Sequence, residues 1–175
     1  QYTKLKIKHE KIVLDNGGMV LRSSNIIGNN IIPNTILFDI FKQLKNEELI
    51  PKNGCDLIVA NNVLAHVPDI KDFIKGISNI LSERGTFTVE FPSVRKLIQF
   101  NQFDTIYHEH YSYLSLNFIK KLCNNFELNI YDVENLNTHV GSLRVWITKN
   151  KKIEVSKNVN RELLSEINFG LNTLR

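Results

Sequence analysis

Between Cys55 and Phe91 the chain has room for a strand, a helix and a second strand and for little else, and this pattern constrains the fold more than any other part of the sequence. Cys55-Asp56-Leu57-Ile58-Val59-Ala60 is a short apolar, β-branched run of the kind that makes a buried parallel strand, and it ends in the polar pair Asn61-Asn62. After Pro68, the residues Ile70, Phe73, Ile74, Ile77, Ile80 and Leu81 recur at helical spacing. Asp69 is placed to cap this helix and Gly85 to stop it, which predicts about fourteen residues from the periodicity. Thr86-Phe87-Thr88-Val89-Glu90-Phe91 reads as the second strand, closed by Pro92-Ser93. A strand, helix and strand of these lengths imply a right-handed crossover and a parallel sheet.

The rest of the chain extends the same architecture. Ile36-Leu37-Phe38 before Asp39 reads as an earlier strand, followed by a helix through Phe41 and Leu44. Ser115 can cap a helix carrying Phe118, Ile119 and Leu122, and Leu128 to Val133 and Ser142 to Thr148 read as two more strands. The short connection between them, Glu134 to Gly141, suits an antiparallel pair. The expected fold class is therefore α/β, a parallel sheet closed by an antiparallel strand pair. Near the start, Lys11 to Asp15, Asn16-Gly17-Gly18 and Met19 to Arg22 have the pattern of a hairpin. A nucleotide-binding loop is the competing reading of this stretch, but no GxGxxG spacing occurs anywhere.

The densest chemistry lies in Phe103-Asp104-Thr105-Ile106-Tyr107-His108-Glu109-His110-Tyr111-Ser112-Tyr113, which holds two of the chain's five histidines. An extended run would put His108 and His110 on one side and Tyr107, Glu109 and Tyr111 on the other. Packed titratable groups of this kind suit proton transfer and the gripping of an oxygen-rich ligand, whereas any one of these histidines alone would read as structural. The net charge of +4 comes in scattered lysine pairs such as Lys120-Lys121 and Lys151-Lys152, so a nucleic-acid partner is not expected. Cys55 and Cys123 are far apart with no CxxC pair, which fits a reduced, cytoplasmic compartment and no metal site in this stretch. No apolar run approaches a membrane span. The sequence starts at Gln1, contains Met19 as its one methionine, and closes on Glu162 to Arg175, which reads as an uncapped helix; these ends suggest a piece of a longer protein.

Three ordered blocks carry a family resemblance: Asp56-Leu57-Ile58-Val59-Ala60-Asn61-Asn62-Val63-Leu64-Ala65-His66-Val67-Pro68-Asp69, the run from Phe103 to Tyr113, and His139-Val140-Gly141-Ser142-Leu143-Arg144. Together the chain resembles the class I S-adenosylmethionine-dependent C-methyltransferases that act on nucleotide-linked deoxysugars. The resemblance implies an incomplete Rossmann-like methyltransferase fold, with residues 1–28 an unassigned start, 29–150 a partial methyltransferase domain and 151–175 the start of a C-terminal helical segment. It also implies a dTDP-linked 4-keto-6-deoxyhexose as substrate, methylated at C3 after a base removes the proton beside the ketone. His110 resembles the general base of that family, with Glu109, Tyr107, His66 and Asn62 in the catalytic set. Tyr107, His108, Tyr111 and His139 would face the substrate, and Asp39, Ala60 and Asn61 would face S-adenosylmethionine.

If Asn62 begins a helical turn, His66 four residues on shares its face, where both side chains would contact the keto oxygen or its enolate. The structural alternatives are that Asn61-Asn62 simply cap and that His66 orders the turn before Pro68. Arg144, alternating with Leu143 and Val145, reads as solvent-facing rather than as an anion site.

Departures from the family pattern matter too. Val140 stands where a second glycine is usual, and Arg22 has the wrong charge for the acidic residue that holds the ribose. The zinc-binding cysteine domain and glycine-rich cofactor loop of full-length relatives are not recognisable, so zinc is not expected here and the chain alone is expected to bind cofactor weakly and to be inactive. A non-catalytic remnant, a partner-binding module, or a methyltransferase with another small-molecule acceptor are the competing readings. Oligomeric state is not legible in the sequence.

Overall fold

The computed structural model describes residues 19–22, 54–138 and 141–172, the first of these by backbone alone. The strands are β1 (Met19–Arg22), β2 (Cys55–Asn61), β3 (Leu81–Pro92), β4 (Asn129–Leu136) and β5 (Ser142–Thr148), and the helices are α1 (Ile70–Ile80), α2 (Val94–Gln99), α3 (Leu116–Asn124) and α4 (Lys157–Phe169). They form one mixed sheet of order β1-β2-β3-β5-β4, in which β1, β2 and β3 are parallel and β5 and β4 run antiparallel. The sheet is open: the antiparallel pair finishes one edge and does not close it.

Alternation decides which face is core. Phe87, Val89 and Phe91 of β3, Leu143, Val145 and Ile147 of β5, and Ile58 and Ala60 of β2 are fully buried. They join Phe73, Ile74 and Ile77 of α1 and Leu116, Ile119 and Cys123 of α3 in one cluster. Thr86, Thr88 and Glu90 of β3 take the intervening positions, beside Arg144, Trp146 and Thr148 of β5, so this second face is polar.

α1 starts where the sequence places it, with Asp69 accepting from the amides of Lys71 and Asp72 at 3.1 and 3.0 Å. It has 11 residues rather than the longer span the spacing suggests, because Leu81 is already extended and begins β3. Gly85 does not stop the helix. It lies within β3, where a Cβ would come 2.6 Å from the carbonyl oxygen of Cys55. α3 follows the expected cap, with the Phe118 amide donating to Ser115 Oγ at 3.1 Å.

Met19–Arg22 pairs in parallel with β2, in register from Met19 opposite Ile58 to Arg22 opposite Asn61, so it is a strand of the main sheet. The proposed partner arm Lys11 to Asp15, and the strand and helix around Ile36 to Leu44, lie outside the described residues. α4 runs from Lys157 to Phe169 and does have a cap: Gly170 takes a left-handed conformation, and the Leu171 amide reaches back to the Glu166 carbonyl at 3.1 Å. α4 packs on β4 and α3. No helix among the described residues is long and apolar enough to cross a membrane.

Candidate active site

In an open α/β sheet, ligands bind in the crevice beyond the carboxyl ends of the parallel strands. Here that edge is formed by the ends of β1 at Arg22, of β2 at Asn61 and of β3 at Pro92. Ala60, fully buried and paired with Leu21 and Val89, is the last interior residue of β2. Asn61 and Asn62 follow at the rim. Asn62 turns the chain with φ 54° while its amide donates to the Glu90 carbonyl at 2.8 Å. Asparagine tolerates this left-handed conformation better than most residues, and here it turns the chain out of β2. The side-chain oxygens of Asn61 and Asn62 are buried and accept from nothing.

The next turn brings in the first imidazole. Residues Leu64–His66 form a 3-10 turn that sinks Leu64 and Ala65 into the core and leaves His66 half-buried at the edge. Because Asn62 is left-handed and precedes this turn, it does not share a helical face with His66 as the spacing of four suggests.

The run from Phe103 to Tyr113 is not extended, so the predicted alternation of its side chains fails. Phe103–Thr105 is a second 3-10 turn, and a tight turn follows in which the His110 amide donates to the Tyr107 carbonyl at 3.0 Å. Both Tyr111 and Ser112 amides donate to the carbonyl of Ala65, at 2.8 and 3.3 Å, and His66 Nδ1 donates to the Glu109 carbonyl at 2.9 Å. These bonds seat the loop on the turn after β2 and bring the His66 and His110 rings to 4.8 Å between centroids.

His110 is held at both nitrogens. Its Nδ1 lies 2.9 Å from the Thr105 carbonyl, which can only accept, so that nitrogen carries the hydrogen. Nε2 is then the basic position, and the Tyr107 hydroxyl donates to it at 3.0 Å, with the two ring centroids 4.1 Å apart and the rings tilted by 34°. Tyr113 presents its edge to the same imidazole at 6.0 Å. Burial pushes the Tyr107 phenol above its ordinary value, with the Glu109 carboxylate and Tyr113 adding to the shift, so the phenol keeps its hydrogen at neutral pH.

The structure thus brings His66, Tyr107 and His110 together. Glu109 contributes its carbonyl to His66 and its charge to Tyr107, and Tyr111 contributes its amide. His108 is exposed and takes no part in this network. Asp39, His139 and Val140 lie outside the described residues.

Sequence reasoning missed Glu90. Its carboxylate is buried and accepts from Arg144 Nη2 at 3.0 Å and from Thr138 Oγ1 at 3.1 Å. Arg144 therefore does not face solvent as a free cation; it bridges Glu90 and, at 3.5 Å, Glu134. The signal was a single acid within the otherwise apolar and hydroxylic run Thr86 to Phe91. Ser93, with a buried hydroxyl that has no partner, is a second such position. Among the described residues no three acidic, histidine or cysteine side chains are grouped to hold a metal.

Unpartnered acceptors on Asn61 and Asn62, at the rim of a parallel sheet, fit a ligand that brings hydrogen-bond donors, such as the ammonium and hydroxyl groups of S-adenosylmethionine. An open sheet of this order, with acid/base groups grouped beyond its parallel strands, defines a Rossmann-like α/β enzyme domain. The chain belongs to the methyltransferase-domain family, which it matches over residues 6–133.

The chain is similar to the C-methyltransferase NovU of Streptomyces niveus, 39% identical over 101 residues that make up 57% of this chain and 24% of the relative. It therefore spans about a quarter of the length of that curated protein. Among solved structures, it is similar to an S-adenosylmethionine-dependent methyltransferase from Clostridium acetobutylicum ATCC 824, at 16% identity and TM-score 0.48 over 83% of this chain and 90% of the other. Magnesium protoporphyrin IX methyltransferase from Synechocystis PCC 6803, with bound S-adenosylhomocysteine, gives 11% identity and TM-score 0.43 over 57% and 47%.

Proposed function

We propose that this chain is the acceptor-activating part of an S-adenosylmethionine-dependent C-methyltransferase. Its acceptor is a nucleotide-linked 4-keto-6-deoxysugar, methylated at the carbon beside the ketone. The observation that carries the reading is the imidazole of His110, fixed by the Thr105 carbonyl so that Nε2 is its basic nitrogen and paired there with the Tyr107 hydroxyl. The similarity to a C-methyltransferase supports the same reading.

A proton beside a ketone is weakly acidic, and its removal needs a base near neutrality together with support for the enolate oxygen. His110 Nε2 takes that proton. At rest the Tyr107 hydroxyl occupies the one lone pair of Nε2, so it turns its hydrogen away to the developing enolate oxygen as Nε2 takes the proton. The raised pKa of Tyr107 keeps that hydrogen available. His66, with its Nδ1 hydrogen committed to the Glu109 carbonyl, offers Nε2 as a second basic nitrogen within the same cluster. Asn61 and Asn62 would hold the cofactor's methionine end through their unpartnered oxygens. When bound, S-adenosylmethionine supplies an electrophilic methyl group to the carbanion-like carbon.

The test separates deprotonation from methyl transfer. In deuterium oxide and without cofactor, the chain exchanges the proton beside the ketone of a dTDP-4-keto-6-deoxyhexose faster than buffer does. His110→Gln abolishes this exchange while acceptor binding persists. Unchanged exchange in that variant removes His110 as the base.

A further inference from the structure

Glu90 is a buried carboxylate with no part in the proton transfer described above. It occupies the centre of a polar row that crosses four strands in register: Asn61 on β2, Glu90 on β3, Arg144 on β5 and Glu134 on β4. Three of its oxygens are committed. The main-chain oxygen accepts from the amide of left-handed Asn62 at 2.8 Å, Oε1 accepts from Thr138 Oγ1 at 3.1 Å, and Oε2 accepts from Arg144 Nη2 at 3.0 Å. Thr138 is itself a hub, since its carbonyl accepts from the Gly141 amide at 3.0 Å and from Ser142 Oγ at 3.1 Å. The Gly141 carbonyl in turn accepts from the Ser93 amide at 3.1 Å, beside the end of β3.

An apolar residue of similar volume would fill this position on β3 at a lower desolvation cost. What a carboxylate alone supplies is two directed acceptors, one for the β4–β5 connection and one for Arg144. Arg144 has a second partner in Glu134, but that carboxylate is farther away, at 3.5 Å, and more exposed, so the buried Glu90 is the stronger tether.

We propose that Glu90 is a positioning residue: it ties the exit of β2, which carries Asn61 and Asn62, to the connection between β4 and β5, so that the two sides of the cleft hold one geometry. It touches no reacting atom. Its kinetic consequence rests on the methyl-transfer reading above, and its structural consequence rests on the hydrogen bonds alone.

Glu90→Ala, Glu90→Gln and Thr138→Val test it in this chain. Glu90→Ala and Thr138→Val are expected to shift the backbone amide resonances of Asn62, Ser93 and Gly141. At saturating acceptor they should slow proton exchange beside the ketone by about tenfold or more, the scale of a small misplacement at a reacting centre, with half-saturation unchanged. Glu90→Gln keeps an acceptor for Thr138 but loses the one for Arg144, and restores part of the rate. Wild-type resonances at those three amides in Glu90→Ala overturn the proposal, as does a Glu90→Gln variant no faster than Glu90→Ala. If the unmodified chain exchanges no proton, the methyl-transfer reading fails and the three amide shifts alone decide the role of Glu90.

Discussion

Replacing Glu166 by alanine probes how the wall behind the histidine loop is anchored. Glu166 lies on α4 with no exposed surface, and its two oxygens accept from the amides of Leu116 and Asn117 at 2.6 and 2.9 Å. These are orphan donors of the first turn of α3, the helix that follows the site loop, so a side chain from a distant helix is completing its cap. Alanine leaves one buried and one half-buried amide unpaired, at up to about 1–3 kcal/mol each, and relieves the cost of keeping a carboxyl group there. A net loss of about 2–4 kcal/mol is expected.

The pH dependence carries a sign. Burial raises the Glu166 pKa, against the two amide hydrogen bonds that lower it. The folded chain therefore holds this proton more tightly than the unfolded chain. The contribution of Glu166 is fully present below the ordinary glutamate range and declines as pH rises through the raised folded value. Urea unfolding of both proteins at several pH values measures this directly: the gap between native and Glu166→Ala should be widest at low pH and narrow upward. A gap below about 1 kcal/mol, or one that widens with pH, refutes the reasoning.

Two further outcomes are expected. Burial pushes the Cys123 thiol up to about 12 and also raises Cys55, where Asp56 adds to the effect, so a disulfide reagent at pH 8 should label neither until urea unfolds the chain; full labelling of the native protein would contradict this. Calorimetric titration with S-adenosylhomocysteine should show affinity weaker than micromolar, because no GxGxxG loop occurs in the sequence to cradle it; a micromolar dissociation constant would overturn that expectation.

The parts of the fold legible in the sequence are those set by local periodicity and local caps. Ile58 and Ala60, the α1 residues Phe73, Ile74 and Ile77, and the caps at Asp69 and Ser115 all follow from spacing and side-chain type. The errors come where a distant contact overrules a local signal. Gly85 looks like a helix stop, yet its requirement is the close approach of the Cys55 carbonyl on the neighbouring strand.

The histidine run looks like alternation, yet its conformation is set by the carbonyl of Ala65, far away in sequence. Its residue types announce acid/base chemistry, but which nitrogen of His110 is basic depends on the main-chain oxygen of Thr105, and a main-chain oxygen leaves no trace in residue identity. Glu90 stood out only as one acid in a buried strand. Its partners Thr138 and Arg144 come from two later segments that no local pattern connects to it.

The seating of the histidine loop also bears on the order in which the protein can assemble. His66 and Glu109 are 43 residues apart, and α1, β3 and α2 lie between them. The bond that orients the first imidazole therefore cannot form until the intervening crossover has folded and brought the two ends together. Local helices gain nothing from this closure, whereas the cleft depends on it entirely, so the histidine pair is expected among the last features to appear during refolding. A partly folded chain with its helices formed would still lack the pairing of its two imidazoles.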